Sequence, residues 1–377
     1  MSFKPILRLN HDLMIPEMYS NFVEGLCSNY ECVDLIETIP PSLWELNRLC
    51  YNPRAVYLIE WLLTQENNLL IKYETWQSLS ANPNAIHILE KYYNKIDLES
   101  LALNPNGMPL LEKHMPIHGK WVWVELSKNS SSDAIRFLEQ HLDKADPRRL
   151  SSNPNAVHIL EQHLNLVCWK SLAGNPNAIR LIEENLDRVD HLTEREQYVY
   201  WGYLSKNPNA IHLLQKHPNK INWAWMASNP APEALRMVEQ RLKETHDIGL
   251  KITNHNNNTD DGFWTQLSTN PLAIHLLEKY KDNVDWLVAA KNPNASHLLI
   301  DLLRGVQFIG KNSAFFWKML GQNHRVKQIM YTLDVDAMKL QCRSFAQELL
   351  AYTLQPARLL RICDAYGLDL EEYVDLI

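Results

Sequence analysis

Glycine is scarce in this chain of 377 residues, at 11 positions, while proline takes 19. That balance speaks against a glycine-rich nucleotide-binding enzyme and against a turn-rich β protein. No run of about 18 apolar residues occurs, so no transmembrane helix is expected. Positive charge is also short. Thirty-seven Lys and Arg against 44 Asp and Glu leave a formal net charge of −7. Sequence-independent nucleic-acid binding needs many phosphate-neutralising cations and is disfavoured on that count. The six cysteines (Cys27, Cys32, Cys50, Cys168, Cys342 and Cys363) are scattered and form no CxxC pair. Such spacing suits a reducing compartment rather than a disulfide scaffold. The start, Met1-Ser2-Phe3-Lys4-Pro5, has no charged-then-apolar leader, and an intracellular setting is expected. The Asn-x-Ser/Thr triplets at Asn129, Asn257 and Asn294 then read as chance matches.

What the chain has in abundance is one repeated phrase. Asn-Pro recurs at Asn52, Asn82, Asn104, Asn153, Asn175, Asn207, Asn229, Asn270 and Asn292, with degenerate copies at Asn129 and Asn323. Around each anchor the pattern is Trp-x-x-Leu-x-x-Asn-Pro-Asn-Ala-Ile-His-Leu-Leu-Glu. Six residues before the anchor stand Trp76, Trp123, Trp169, Trp201, Trp223, Trp264, Trp286 and Trp317. Leu46, Leu98 and Pro147 replace it in the other three copies. A Leu or Met stands three before every anchor except Asn292, where the residue is Ala289.

The spacing reads as two short helices per unit. Asn is a strong N-cap and Pro suits the first helical position, so each Asn-Pro is expected to open a downstream helix. Apolar positions at +3, +4, +6 and +7 then share one helical face. Trp at −6 and Leu at −3 lie one turn apart and suit an upstream helix. Asp97, Asp146, Asn222 and Asp285, at −7, are placed to cap it. Neither helix is long enough to be stable alone, so units must stack. The expected fold is an all-α solenoid of about eleven two-helix units on a base period of 22 residues. A leucine-rich repeat needs a strand with alternating apolar positions, which Asn-Pro would interrupt. After Asn129 and Asn229 the small residue arrives two positions late, as Ala134 and Ala234, which a longer turn absorbs while both helices are kept. Residues 1–51 are expected to form an N-terminal cap, 52–333 the repeats and 334–377 a helical C-terminal cap.

Tandem Trp-x-x-Leu-Ser-x-Asn-Pro-Asn-Ala-Ile-x-Leu-Leu-Glu units resemble a helical repeat family of large nucleocytoplasmic DNA viruses, among them mimivirus relatives, iridoviruses and algal viruses. The best copies are Trp76–Glu90, Trp169–Glu183, Trp201–Leu214 and Trp264–Glu278. The ending, Gln355-Pro356-Ala357-Arg358-Leu359-Leu360, also resembles the closing helix of such proteins, so the likeness spans about residues 44–377. It implies a viral protein acting in the host cytoplasm or virus factory, or packaged in the particle. It brings no catalytic residues and no cofactor.

Two sets of residues stand out as binding candidates. His87, His158, His212, His275 and His297 recur at +5, and Arg180, with Arg136 and Arg236 in the two shifted units, fills the equivalent place. A Glu follows three positions later, as Glu90, Glu139, Glu161, Glu183, Glu239 and Glu278. Residues three apart are neighbours on a helix, so the set forms either a ridge for a partner or a row of weak surface pairs. The second candidate lies in the longest of four insertions (Leu63–Thr75, Leu186–Tyr200, Leu242–Phe263 and Leu303–Phe316). It holds Asn254, His255, Asn256, Asp260 and Asp261. Its oxygen-rich string lacks the Gly and Glu that a calcium loop needs at its sixth and twelfth positions. His158-x-x-Glu161-x-His163 has the wrong spacing for a zinc protease. The in-register tryptophans are expected in the core, whereas Trp44, Trp61, Trp121 and Trp225 fall off that phase. No phosphate loop and no nucleophile motif is present. The expected function is a non-enzymatic scaffold for a protein partner, with no metal, cofactor, membrane or small-molecule substrate. A structural virion component and an RNA-binding solenoid are the alternatives.

Overall fold

The computed structural model describes residues 7–10, 16–65, 72–114, 119–247, 262–304 and 313–333. The fold is all-α, and its helices pack mainly against near neighbours in the row. One compact unit comprises Met1–Asp12 with Met330–Ile377, and the other comprises Leu13–Ile329. In the first, β1 (Leu7–Leu9) pairs antiparallel with β2 (Tyr331–Leu333), a small strand pair that the repeat pattern did not announce. The helices expected in residues 334–377 lie outside the described residues.

Among the described residues, twenty-four α-helices fall in twelve pairs, each pair bracketing one asparagine. They are α1 (Tyr19–Cys27) and α2 (Val33–Ile36), α3 (Leu46–Tyr51) and α4 (Val56–Thr64), and α5 (Tyr73–Ser80) and α6 (Ile86–Lys91). Next come α7 (Leu98–Leu103) and α8 (Met108–Lys113), α9 (Lys120–Leu126) and α10 (Ser132–Glu139), and α11 (Pro147–Ser152) and α12 (Val157–Gln162). Then follow α13 (Trp169–Leu172) and α14 (Ile179–Glu184), α15 (Glu194–Lys206) and α16 (Ile211–Lys216), and α17 (Trp223–Met226) and α18 (Pro232–Asp247). The last are α19 (Phe263–Thr269) and α20 (Ile274–Lys279), α21 (Trp286–Ala289) and α22 (Ser296–Arg304), and α23 (Ala314–Gly321) and α24 (Val326–Met330).

The upstream helices start where their caps predict. Asp97, Asp146 and Asn222 accept from the N–H of Ser100, Arg149 and Trp225, and Asp285 accepts from Leu287. The insertion before Asn207 lengthens α15 to 13 residues behind a Thr193/Glu196 capping box. The late alanines keep their helices, with Ser131 capping α10. Downstream helices begin later than the sequence reading placed them. Most start at +4, for example at Ile86, Val157, Ile179, Ile211 and Ile274, and Asn-Pro-Asn-Ala forms a turn or a short 3₁₀ segment instead. The reason is the anchor itself. Its Oδ1 accepts the N–H two residues on, and its carbonyl accepts the N–H three residues on, as in Asn84→Asn82 at 2.9 Å and Ala85→Asn82 at 3.1 Å. These bonds close a tight Asx turn before the α-helix can start.

Every anchor is buried, at most 4% exposed. Its Nδ2 donates to main-chain carbonyls of the preceding unit. From Asn82 onward one acceptor is always the preceding anchor and the other is the residue two before it. Asn104, for example, donates to Asn82 O at 2.8 Å and Ser80 O at 3.0 Å. The same rung recurs at Asn129, Asn153, Asn175, Asn207, Asn229, Asn270, Asn292 and Asn323. Serines at −2 complete it. Ser80, Ser127, Ser151, Ser205 and Ser268 each accept, at Oγ, the N–H that opens the next upstream helix. Each rung satisfies polar groups that burial would otherwise leave unpaired, which is where a net of about 1 kcal/mol per bond arises.

The ladder does not stop at its ends. Asn29 donates to Asn323 O at 2.9 Å and to Gly321 O at 3.0 Å, the same two positions relative to the previous anchor. In turn Asn52 donates to Cys27 O. Asn29 is therefore a twelfth anchor, with Leu26 at −3, Cys32 at +3 and Glu37 at +8. Within Leu13–Ile329, helix α1 packs along α23, Phe22 meets Trp317 edge-on, and Lys318 pairs with Glu24 at 2.6 Å. The Asn29 unit thus packs on the first Asn-Pro unit on one side and on the last unit on the other. Neighbouring upstream helices approach closely around this row, whereas neighbouring downstream helices do not. Within Leu13–Ile329 the row thus curves with the upstream helices on its inner side, and its two ends meet.

Candidate functional site

The +5 ridge comes together differently from the i,i+3 pairing that the spacing suggests. Each histidine reaches across to the Glu of the preceding unit. His87 meets Glu60 at 2.6 Å, His158 meets Glu139 at 2.7 Å and His212 meets Glu183 at 2.8 Å. His275 meets Glu239 at 2.6 Å and His297 meets Glu278 at 2.7 Å. The arginines pair within their own helices, Arg136 with Asp133, Arg180 with Glu184 and Arg236 with Glu233. In the Asn29 unit Asp34 takes the +5 place and meets Lys327 at 2.7 Å. About half of each histidine side chain stays in water, where such pairs contribute little. His212→Ala should therefore change the stability by less than about 0.5 kcal/mol in urea denaturation.

His158 is engaged with Glu139, and no metal-binding cluster of His, Cys, Asp and Glu exists among the described residues. The candidate loop residues Asn254, His255, Asn256, Asp260 and Asp261 lie outside them. Of the in-register tryptophans, Trp76, Trp123, Trp201 and Trp317 are buried and the other four half-buried. Trp76, Trp201 and Trp264 rest on Tyr92, His217 and Tyr280, and Trp123 rests on His141. Burial pushes the Cys27 and Cys32 thiols up to about 11 and Cys50 to about 12, which removes their thiolates at neutral pH.

The upstream helices carry a second exposed surface, at positions −5, −4 and −1 of several units, as at Arg148, Arg149 and Ser152. Two of the clefts among the described residues open there. One, of about 660 Å³, runs from α9 to α15 and includes Lys120, Trp121, Arg148, Arg149, Gly174 and Tyr203. It sits where α9 and α11 fail to pack as closely as the other neighbouring upstream helices. The other, of about 480 Å³, spans the closing seam and includes Tyr30, Arg48, Tyr51, Lys291, Gln322 and His324. Its walls come from both ends of the row, so it exists only while the row is closed. The sequence pattern missed both clefts because they are built from positions that vary between units. The off-phase Trp121, 61% exposed, was the visible signal. Trp44 gave a weaker one, since its indole N–H is held by the carbonyls of Ile36 and Ile39.

No family model, no curated protein and no solved structure matches this chain.

Proposed function

We propose that the chain is a non-enzymatic interaction scaffold, an α-solenoid of two-helix units closed on itself, which holds a protein partner against its inner wall. The observation that carries this reading is the division of surfaces. On the downstream helices the ridge histidines and arginines are paired with neighbouring carboxylates. On the inner wall, exposed Tyr51 and Tyr203 and half-exposed Trp225 stand beside cations, a composition that suits recognition. The Asn ladder fixes the spacing of these groups, so little ordering is left to binding. The likeness to repeats of large DNA viruses supports a role inside an infected cell.

Site-specific photo-crosslinking in cells that make the chain tests this reading. A benzoylphenylalanine at Tyr51 should capture a defined protein, and one at His212 should not. Arg48→Glu should abolish the capture at position 51. Capture from position 212 alone would put the binding face on the ridge and sink the reading.

A further inference from the structure

We propose that the cleft from α9 to α15 binds a nucleotide unit of a single nucleic-acid strand. Bases of the strand would stack on Trp121 and on Tyr203, and its phosphate would lie on Arg148, Arg149 and Lys120. This goes beyond the scaffold reading, which places a protein partner on the wall and assigns no nucleic acid to this cleft.

Four features converge. Trp121 is 61% exposed and has no aromatic partner among the described residues. A large ring left in water at the rim of a cleft is a stacking platform with nothing on it, and base–aromatic stacking is indifferent to sequence. Tyr203, on α15, brings a second ring to the lining of the same cleft, propped edge-on by Trp225 at 4.9 Å. Small residues, Ser152, Ser171 and Gly174, also line the cleft. A Cβ on Gly174 would meet the Tyr203 ring at 3.5 Å, so this glycine keeps the space beside the ring open.

Charge supplies the third and fourth features. Lys120, Arg148 and Arg149 are exposed and form no ion pair among the described residues, although the chain carries a net charge of −7. Three unpaired cations in one cleft of an acidic protein form a local anion site, and guanidinium groups match phosphate geometry. Elsewhere on the same wall the cations Lys128, Lys170 and Lys318 are held by Glu125, Glu196 and Glu24. The one acid in the cleft is Asp146. Its Oδ1 caps α11 by accepting from Arg149 N–H at 2.9 Å, which leaves Oδ2 for an exocyclic amino group of a base. A cleft of about 660 Å³ is within the range of small-ligand sites. It is open along the wall, where Lys206 follows Tyr203, so a strand rather than a closed-in free nucleotide suits it.

Fluorescence anisotropy on the full chain tests the assignment. The probe is a labelled oligouridylate of about twelve nucleotides, with UMP as competitor. Wild type should bind saturably at about 50 mM salt. Arg148→Gln with Arg149→Gln should weaken binding at least about tenfold and flatten its salt dependence, since each lost phosphate contact on a single strand removes roughly 0.7 from the log–log slope. Trp121→Ala should cost about tenfold, the loss of one stacked base. Gly174→Leu, which fills the cleft and leaves every charge in place, should abolish binding while the melting curve stays that of a folded chain. Lys91→Gln with Lys113→Gln, on the downstream helices, should stay within about twofold of wild type. Competition by UMP at micromolar levels would identify a free-nucleotide source for the same chemistry, and its failure would identify a strand. No saturable binding of either probe overturns the proposal. So does binding that Gly174→Leu and the arginine pair leave unchanged. Neither result bears on protein capture at Tyr51.

Discussion

Asn175→Asp should destabilise the chain by about 3–5 kcal/mol at neutral pH, the cost of a buried and unpaired charge. The two side chains have the same shape and rank equally as N-caps. If the anchor only started a helix, the substitution would be silent. In the structure Asn175 is fully buried, and its Nδ2 donates to Ser151 O and Asn153 O, each at 3.0 Å. Only its Oδ1 does cap-like work, accepting Asn177 N–H at 3.0 Å. Aspartate keeps that acceptor and loses both donors, so a carboxylate oxygen would face two carbonyl oxygens. The protein's response would be to hold the new carboxyl protonated. Its folded pKa would then lie above the unfolded value near 3.9, and the sign follows. The deficit relative to wild type is smallest below about pH 4 and grows as pH rises toward the folded pKa. Urea midpoints of wild type and variant across pH 4–8 measure this. Equal midpoints at every pH would mean that the ladder is not what holds neighbouring units together.

That contrast also shows what was legible in the chain. The repeated elements were. Asn-Pro, the Trp and Leu positions and the caps at Asp97, Asp146, Asn222 and Asp285 fixed where the upstream helices lie, because these features act inside one unit. What acts between units was harder to see. Eleven anchors that are all Asn, with no Ser, Thr or Asp among them, already exceed what capping requires, and the amide's two donors are the reason. The serine at −2 carried the same message. The +5 histidines suggested a partner within their own helix, since sequence distance hides the Glu of the preceding unit. Asn29 escaped notice because Tyr30 replaces the proline and Val23 replaces the tryptophan. Its unit still keeps Leu26, Val33, Leu35, Ile36 and Glu37 in phase. The inner wall was least legible. Its residues differ from unit to unit, and a surface that is not repeated leaves no period to find. Closure was not legible at all, since it is the sum of small rotations between units, none of which has its own residue signature.

Gly321→Val should open the seam and leave the opposite side of the row intact. A Cβ at Gly321 would lie 2.4 Å from Phe22 O and 2.9 Å from the Cα of Gly25. Gly25 is equally confined, its own Cβ falling 2.2 Å from Lys318 O. Both contacts are with main chain, which no side-chain rotation relieves. The helices α1 and α23 must therefore move apart. That separation breaks the Asn29 bonds to Gly321 and Asn323, the Lys318–Glu24 pair and the Phe22–Trp317 contact together. Stacked repeats interact only with their neighbours, so the remaining rungs keep their partners. Hydrogen exchange separates the outcomes. Amides of α1 and α23 should exchange at least about tenfold faster in the variant, equivalent to roughly 1.4 kcal/mol of local opening. Those of α11 and α13 should keep their wild-type rates. Unchanged exchange at α1 and α23 would show that the two ends do not meet in solution, and equal acceleration everywhere would show that the row unfolds as one body. The same variant reports on function. The Tyr51 cleft takes Lys291, Gln322 and His324 from the far side of the seam, whereas the Trp121 cleft lies wholly between α9 and α15. Opening the seam should therefore abolish protein capture at position 51 and spare oligouridylate binding, so that closure acts on one site and not on the other.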